Sequence, residues 1–198
     1  MVGEIFLARL NINGDASIEF WHAVKQMREI MQVQPGFVGF SLWIDHSDPE
    51  SYLMVLEAKS EASVGASLRE VVQSEAFEAL QGPLEGVSSN RWIKLLARRG
   101  VTIESMPPDS FMTASVRLAE PGMADNLAAD YALVFESLSV LPGFRGFGYG
   151  PANNLAEQFI GLAWWDSMDD MMRSLPAGKV PKLKFFRRVS EKEMLDLD

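Results

Sequence analysis

Two short stretches of this sequence decide its fold: Gln34–Phe40 reads QPGFVGF, and Leu141–Phe147 reads LPGFRGF. Five of the seven positions are identical, and the second stretch follows the first at an offset of 107 residues. The same offset aligns the apolar run Tyr52–Leu56 with Phe159–Ala163. Because similarity at a fixed offset marks an internal repeat, we expect two halves with the same order of elements.

The first half reads as strand, helix, strand, strand, helix, strand. Apolar residues at helical spacing, from Phe20 to Met31, predict a first helix that Pro35-Gly36 ends. The predicted elements are a strand at Glu4–Leu10, a helix ending near Val33, strands at Phe37–Asp45 and Ser51–Ala58, a helix at Ser60–Leu80 broken near Ser74, and a strand at Arg91–Ala97.

The second half repeats this plan after a predicted linker at Arg98–Ser110, which contains Pro107-Pro108. Only 16 residues separate Trp165 from Lys182, so its second helix must be short. The predicted elements are strands at Phe111–Leu118, Phe144–Gly150, Gln158–Trp165 and Lys182–Val189, with a first helix at Asp125–Val140. We place one domain at 1–100, a second at 101–190, and an acidic tail at 191–198.

Each βαββαβ half predicts a four-stranded antiparallel sheet with both helices on one face, which is the ferredoxin-like arrangement. Val38, Phe40, Leu42 and Ile44 alternate with Phe37, Gly39, Ser41 and Trp43, so neither face of this strand is strongly polar. Both faces are therefore expected to be buried. The fold class predicted is α+β, with the two sheets packed against each other as an intramolecular pseudo-dimeric barrel.

Composition excludes several classes of function. The chain has 198 residues and no cysteine, which rules out disulfides, thiolate metal sites and thiol catalysis. A net charge of −9 argues against a nucleic-acid partner. We find no signal-peptide pattern and no apolar run long enough to cross a bilayer, so a cytoplasmic protein without a membrane partner is expected.

The repeated residues resemble the antibiotic biosynthesis monooxygenase-like superfamily of dimeric α+β barrels. The residues that carry the resemblance are Pro35, Gly36, Phe37, Gly39, Phe40 and Tyr52, then Pro142, Gly143, Phe144, Gly146, Phe147, Trp165 and Ser167. Members include cofactor-independent oxygenases of aromatic polyketides, haem-degrading enzymes and proteins without known activity. Most pair two single-repeat chains, so this chain is expected to be a monomeric pseudo-dimer, or a homodimer of it.

This chain departs from the family pattern in two places. The family's strand-end Trp is matched by Trp165 in the second half, but Ala58 occupies that position in the first. Haem-degrading members use an Asn, this Trp and a His on the second helix, whereas the last histidine here is His46. The resemblance therefore implies no haem-degrading triad in either half. The scattered acids with His22 and His46 make no metal motif.

Four residues are candidates for catalysis. Arg9 and Arg117 align at an offset of 108 and can hold an oxyanion or a substrate carboxylate; a structural ion pair is the alternative. Glu57 shares a strand face with Leu53 and Val55, so it is either a buried base or a strand-end ion pair. Trp165 either lines a pocket or belongs to the core.

A substrate pocket is predicted from one unusually bare strand face. The repeat places Trp43 opposite Gly150, and the face with Phe144, Gly146, Gly148 and Gly150 has few side chains. A bare face leaves either a ligand cavity or a close approach of another backbone.

The expected function is a cofactor-independent monooxygenase-like activity on a small apolar or aromatic molecule. A non-catalytic ligand-binding or stress-associated barrel is the alternative, and a third interpretation is a structural pseudo-dimer whose sites have decayed. The small molecule is the expected partner, and neither a cofactor nor a metal is expected.

Overall fold

Both halves fold as strand, helix, strand, strand, helix, strand in a computed structural model. The structure describes residues 3–12, 18–72, 84–153, 155–175 and 183–189. The elements of the first half are β1 (Glu4–Ile12), α1 (Ile18–Gln32), β2 (Phe37–Asp45), β3 (Asp48–Ala58), α2 (Glu61–Val72) and β4 (Leu84–Lys94). The predicted end of the second helix, near Leu80 with a break at Ser74, lies outside the described residues.

The second half carries the same elements with a much shorter second helix. They are β6 (Phe111–Leu118), α3 (Ala124–Leu138), β7 (Phe144–Ala152), β8 (Leu155–Trp165), α4 (Met168–Arg173) and β9 (Leu183–Arg188). The short helix predicted from the spacing of Trp165 and Lys182 is thus α4, with six residues. The predicted acidic tail at 191–198 lies outside the part that the structure describes.

The predicted linker at Arg98–Ser110 is wrong in its first part. Strand β5 (Ala97–Gly100) runs through it, and a 3-10 helix follows at Ile103–Ser105. Strand β5 pairs antiparallel with β7, from Ala97 opposite Tyr149 to Gly100 opposite Gly146. The partner strand of β5 lies about 50 residues further along the chain, so the pairing leaves no local signal in the sequence. The polar stretch at Arg98–Gly100 is therefore typical of a loop when only its own residues are considered.

The strands form a closed α+β barrel. Their order is β4-β1-β3-β2-β9-β6-β8-β7-β5, and an additional pairing of β4 with β7 closes the ring. Each half has the ferredoxin-like order, fourth-first-third-second. Since β9 of the second half pairs with β2, and β4 and β5 of the first half pair with β7, the halves share one sheet. The boundary near residue 100 remains a prediction.

The PGF stretches make the same contacts in both halves. Gly36 O accepts a hydrogen bond from Lys59 N at 2.9 Å, and Gly143 O accepts one from Asp166 N at 2.8 Å. A Cβ at Gly36 would collide with Ser63, and one at Gly143 would collide with the Asp170 side chain. The glycines therefore let each first helix turn into its strand directly against the start of the second helix.

Three hydrophobic clusters divide the molecule into layers. The barrel interior holds side chains from both halves, including Trp43, Met112 and Trp164. Outside the barrel, one cluster lies between α1, α2 and the first-half sheet, and another between α3, α4 and the second-half sheet. Both faces of the sheet are thus buried, as predicted from strand β2, where neither face is strongly polar. Among the described helices, none is long and apolar enough to span a membrane.

Candidate functional site

A cavity of about 310 Å³ lies on the outer face of the second-half sheet, beneath α3. Its lining includes two of the predicted catalytic residues, Arg117 of β6 and Trp165 of β8. The other lining residues are Thr113, Ser115, Tyr131, Val134, Phe135, Ser137, Leu138, Gly161, Ser174, Leu175 and Leu183. Such a volume is at the lower end of those that hold small organic ligands.

The cavity exists because small side chains replace large ones. Strand registers place Trp165 opposite Phe111 and Ala58 opposite Glu4, so equivalent positions of the halves differ by 107. By this register Thr113 corresponds to Phe6, and Gly161 corresponds to Met54; Phe6 and Met54 are buried in the first-half cluster. The second helix of the second half is also shorter: α4 has six residues, whereas α2, its equivalent in the first half, has twelve.

Tyr131 is the central side chain of the cavity. Its hydroxyl lies 3.1 Å from Ser115 Oγ, and Ser115 Oγ donates to Gly161 O at 3.3 Å. A Cβ at Gly161 would collide with the Tyr131 ring, so glycine is needed for this ring to lie flat against the sheet. Burial raises the pKa of the Tyr131 phenol despite the Ser115 hydrogen bond and the Arg117 charge, so the phenol is neutral at pH 7.

Two side chains that line the cavity, Trp165 and Arg117, have no hydrogen-bond acceptor among the described residues. Trp165 is 1% exposed, and its indole Nε1 is buried with no acceptor in the described structure. Arg117 is exposed and places its guanidinium 5.5 Å from the centre of the Tyr131 ring. No described carboxylate forms an ion pair with Arg117. The Arg117 guanidinium is therefore accessible to a ligand, whereas the Trp165 Nε1 atom is enclosed by protein atoms.

Arg9 does not occupy the position equivalent to Arg117, contrary to the sequence alignment. In the strand register Arg9 is opposite Leu53, whereas Arg117 is opposite Phe159, which corresponds to Tyr52. The residue equivalent to Arg117 is therefore Leu10. A one-residue shift moves a side chain to the other sheet face, so the single insertion assumed in the alignment was placed wrongly.

Arg9 takes part in an ion pair with the buried Asp45, away from the cavity. Its guanidinium bonds Asp45 Oδ2 at 3.3 Å and Ser51 Oγ at 2.8 Å. Asp45 also lies 3.5 Å from Lys184 of β9. Burial disfavours the Asp45 carboxylate, yet two hydrogen bonds from Ser47 and the charges of Lys184 and Arg9 together lower its pKa.

Glu57 is buried in an ion pair with Arg98. Arg98 Nε donates to Glu57 Oε1 at 3.0 Å, and Arg98 Nη2 lies 2.9 Å from the same oxygen. Ile103 N donates to Glu57 Oε2 at 2.9 Å. A second cavity, about 320 Å³, adjoins this pair. Because both carboxylate oxygens are already hydrogen-bonded, the arrangement matches the strand-end ion pair better than a free base.

The bare glycine face is filled by close packing, the second of the two alternatives. A Cβ at Gly146 would lie 2.5 Å from Arg99 O, and one at Gly150 would collide with Lys94 O. At Gly148 a Cβ would lie 3.2 Å from Leu95 Cδ2. Trp43 is fully buried in the barrel interior. The glycines thus admit β4 and β5 rather than a ligand.

Phe144 does not share the face of these glycines. A register irregularity lies between Phe144 and Gly146, and Phe144 packs outside the barrel against Trp165, with ring centres 5.0 Å apart. An extra residue in a strand shifts the alternation of side chains, and such a bulge leaves no clear mark in the sequence. Phe144 therefore supports the wall formed by Trp165.

Sequence reasoning missed Tyr131, Ser115 and Gly161. The sequence holds one signal for this cavity. At the offset of 107, Gly161 aligns with Met54, so the second half lacks a large side chain at a position that the first half fills. Ser115 also precedes Arg117 by two residues and so shares its strand face. Tyr131 carries no such signal, because an aromatic residue on a helix is usually part of the core.

A metal centre is not suggested by the described residues, among which no group of three His, Asp or Glu side chains is placed to hold an ion. The cavity is lined by hydroxyls, an indole, a phenol and a guanidinium. This donor set suits an organic molecule rather than a cation.

Comparison with known proteins agrees with this architecture. Residues 5–82 match the family model of antibiotic biosynthesis monooxygenase. Over these residues, which all lie in the first half, the chain is similar to that family. No curated protein matches the sequence. The family match thus rests on the first half, while the cavity beneath α3 lies in the second.

Several solved structures share the fold across nearly the whole chain. A candidate monooxygenase of Fusobacterium nucleatum is 12% identical with a TM-score of 0.73, covering 96% of this chain and 93% of its own. An anthrone oxidase-like protein is 15% identical with a TM-score of 0.62, covering 96% and 92%. A monooxygenase-like protein of Listeria innocua is 11% identical with a TM-score of 0.56, covering 95% of each chain. At these identities the likeness establishes the fold.

Proposed function

We propose that this chain is a monooxygenase-like protein that oxidises a small aromatic molecule, without a cofactor, in the second-half cavity. The observation that carries the proposal is the guanidinium of Arg117, which lies at a cavity of about 310 Å³ beside the Tyr131 ring and forms no ion pair with a described carboxylate. A cation next to an aromatic surface stabilises the charged form of an ionisable aromatic molecule. The family match and the related monooxygenase-like structures support the class of reaction.

The lining residues divide the work of binding and activation. Phe135 and Tyr131 provide aromatic surface, with ring centres 5.9 Å apart in a stacked arrangement. Arg117 supplies the donors for a substrate oxyanion. The neutral phenol of Tyr131 donates to Ser115 and can accept a hydrogen bond from the substrate. Because Arg117 is cationic, it favours ionisation of a phenol or enol placed next to it.

The reaction proposed uses the electrons of the ionised substrate. An activated ring carbon or its phenol loses a proton to solvent water, because no described lining residue is a carboxylate or an imidazole. The resulting anion transfers electrons to dioxygen and forms a carbon–oxygen bond. Protonation gives a hydroperoxide, and loss of water from it leaves a carbonyl. One oxygen atom ends in the product and the other in water. The substrate therefore loses two hydrogen atoms and gains one oxygen atom.

Oxygen consumption tests this proposal. Wild-type protein with a hydroxylated anthrone is expected to consume dioxygen above the rate of the buffer, and Arg117→Ala is expected to lower kcat/KM by about 10- to 100-fold, the range for an oxyanion donor. Lys25→Ala is the matched control, since Lys25 is an exposed cation on α1 in the other half. Equal rates for Arg117→Ala and the wild type would contradict the proposed role.

A non-catalytic binding protein is the second candidate, and one observation favours it. None of the described lining residues is a carboxylate or an imidazole, so the cavity has no ordinary general base. Binding of the anthrone without oxygen consumption would establish this alternative. Saturable binding together with oxygen consumption would establish the enzyme.

The assembly and location proposed are a self-contained pseudo-dimer, alone or as a homodimer, in the cytoplasm. The closed ring of strands supports a barrel that needs no second copy for its sheet. Sedimentation equilibrium is expected to give about 22 kDa, the mass of one chain, or twice that value.

A further inference from the structure

We propose that the second-half cavity selects an anionic aromatic ligand, an aromatic carboxylate. This inference rests on the proposed function, because it names the ligand class of the same cavity. In this arrangement the carboxylate lies at Arg117, and the aromatic ring lies among the aromatic lining residues Tyr131, Phe135 and Trp165.

Arg117 is the main hydrogen-bond donor that the described lining offers to a ligand. The serine and threonine hydroxyls of the lining already donate their protons to carbonyls: Thr113 to Ala163 O, Ser115 to Gly161 O, Ser137 to Val134 O and Ser174 to Met171 O. Of the described lining residues, Arg117 alone carries a formal charge. A ligand that brings an anion to Arg117 therefore matches what the cavity offers.

Arg117 stands apart from most arginines of the described structure. Six others form ion pairs with carboxylates: Arg9, Arg28, Arg98, Arg145, Arg173 and Arg187. Arg117 instead lies over the ring of Tyr131, a cation–π contact that holds the guanidinium at the cavity. In a chain of net charge −9, a cation without a carboxylate partner beside a cavity is available to a ligand anion.

The charges around the cavity set the limits of this selection. Asp130 and Glu136 lie on α3 but do not line the cavity. Their negative charges repel a ligand anion at longer range. Their effect is screened by salt over about 10 Å at 0.1 M ionic strength, whereas a carboxylate in contact with Arg117 is screened less. The preference for the anion should therefore survive physiological salt.

A pair of matched probes tests the proposal by titration calorimetry. The probes are 6-hydroxy-2-naphthoate and its neutral amide, 6-hydroxy-2-naphthamide, which have the same ring and hydroxyl. Wild-type protein is expected to bind the naphthoate about tenfold more tightly than the amide, which is about 1.4 kcal/mol. Arg117→Ala is expected to reduce this preference to less than about twofold, and Lys25→Ala is expected to keep it.

The outcomes separate this inference from the proposed oxidation. A naphthoate preference that depends on Arg117 supports the inference even if no dioxygen is consumed, in which case the oxidation fails alone. Equal binding of the two probes, or a preference that persists in Arg117→Ala, overturns the inference while leaving an aromatic site. Absence of binding by both probes overturns the inference and the proposed cavity site together.

Discussion

At the scale of the residue, two side chains explain why the halves differ. Gly161 lets the Tyr131 ring lie against the sheet where Met54 fills the equivalent space of the first half. Trp165 replaces Ala58 and brings a buried indole N–H that no described acceptor satisfies. Loss of volume creates the cavity, and the Trp165 side chain forms part of its wall.

A pair of tryptophan substitutions separates binding from stability. Trp164 Nε1 donates to Val101 O at 3.2 Å, whereas Trp165 Nε1 has no described partner. Trp164→Phe is therefore expected to lower the free energy of unfolding by about 1 kcal/mol more than Trp165→Phe does, because it removes a satisfied hydrogen bond. Trp165→Phe is expected to weaken binding of 6-hydroxy-2-naphthoate, and Trp164→Phe is not. Urea unfolding and calorimetry measure both; the reverse pattern would contradict the role of Trp165.

A pair of glycine substitutions tests the packing beneath Tyr131. Gly161→Ala places a methyl group against the Tyr131 ring and is expected to cost about 1–3 kcal/mol, the range for overpacking. Gly65→Ala is the control, because no atom lies within 4 Å of its Cβ position on α2. This variant is expected to gain up to about 1 kcal/mol from helix propensity. If both variants unfold at the wild-type urea concentration, the packing described for Gly161 is wrong.

At the scale of the element, the second helix of each half begins in the same way but ends differently. Ser60 Oγ accepts from Ser63 N and Ser167 Oγ accepts from Asp170 N, each at 3.2 Å. Helix α2 then continues for twelve residues, whereas α4 stops after six. The short helix leaves the neighbouring outer face of the sheet to α3, and Ser174 just after it lines the cavity.

Removal of each cap tests this equivalence. Ser60→Ala and Ser167→Ala are each expected to lower the free energy of unfolding by about 1 kcal/mol, the usual effect of losing an N-cap. Their effects should add, since the helices belong to opposite halves. Ser167→Ala alone should also weaken naphthoate binding, because α4 ends at the cavity. If Ser60→Ala weakens naphthoate binding and Ser167→Ala does not, the site lies in the first half, which would contradict its assignment to the second half.

At the scale of the whole molecule, polar contacts hold the two halves together beside the shared sheet. Asp45 of β2 is 2% exposed and lies close to both Arg9 of β1 and Lys184 of β9. Strands β2 and β9 belong to different halves and pair at Trp43–Asp45. The Asp45 cluster therefore ties the barrel at one of its two junctions.

The lowered pKa of Asp45 predicts a specific loss of stability in acid. A folded pKa below the unfolded value means that the carboxylate contributes stability above about pH 4 and loses it as pH falls through the folded pKa. Asp45→Asn is expected to be less stable at pH 7 by about 1–3 kcal/mol, and the difference should shrink below about pH 4. Asp109→Asn, at an exposed ion pair, is expected to match the wild type. Urea unfolding between pH 7 and pH 3 measures this; a constant difference would contradict it.

The repeat predicted the fold because its glycines and prolines mark local turns. QPGFVGF and LPGFRGF make the same contacts in each half. This motif alone therefore predicted where α1 and α3 end and where β2 and β7 begin. Strand β5 could not be predicted, because its partner β7 is distant in the sequence. For the site, Arg117 and Trp165 were predicted, whereas pairing Arg117 with Arg9 failed because a one-residue shift reverses the sheet face.

The central claim is that the outer cavity of the second half binds the ligand. Titration of 15N-labelled protein with 6-hydroxy-2-naphthoate, followed by amide chemical shifts, tests it most directly. The account predicts the largest shifts on β6, β8 and α3, centred on Ser115, Tyr131 and Gly161. Shifts centred on Glu57 and Arg98, around the other cavity, or no saturable shifts at all, would contradict it.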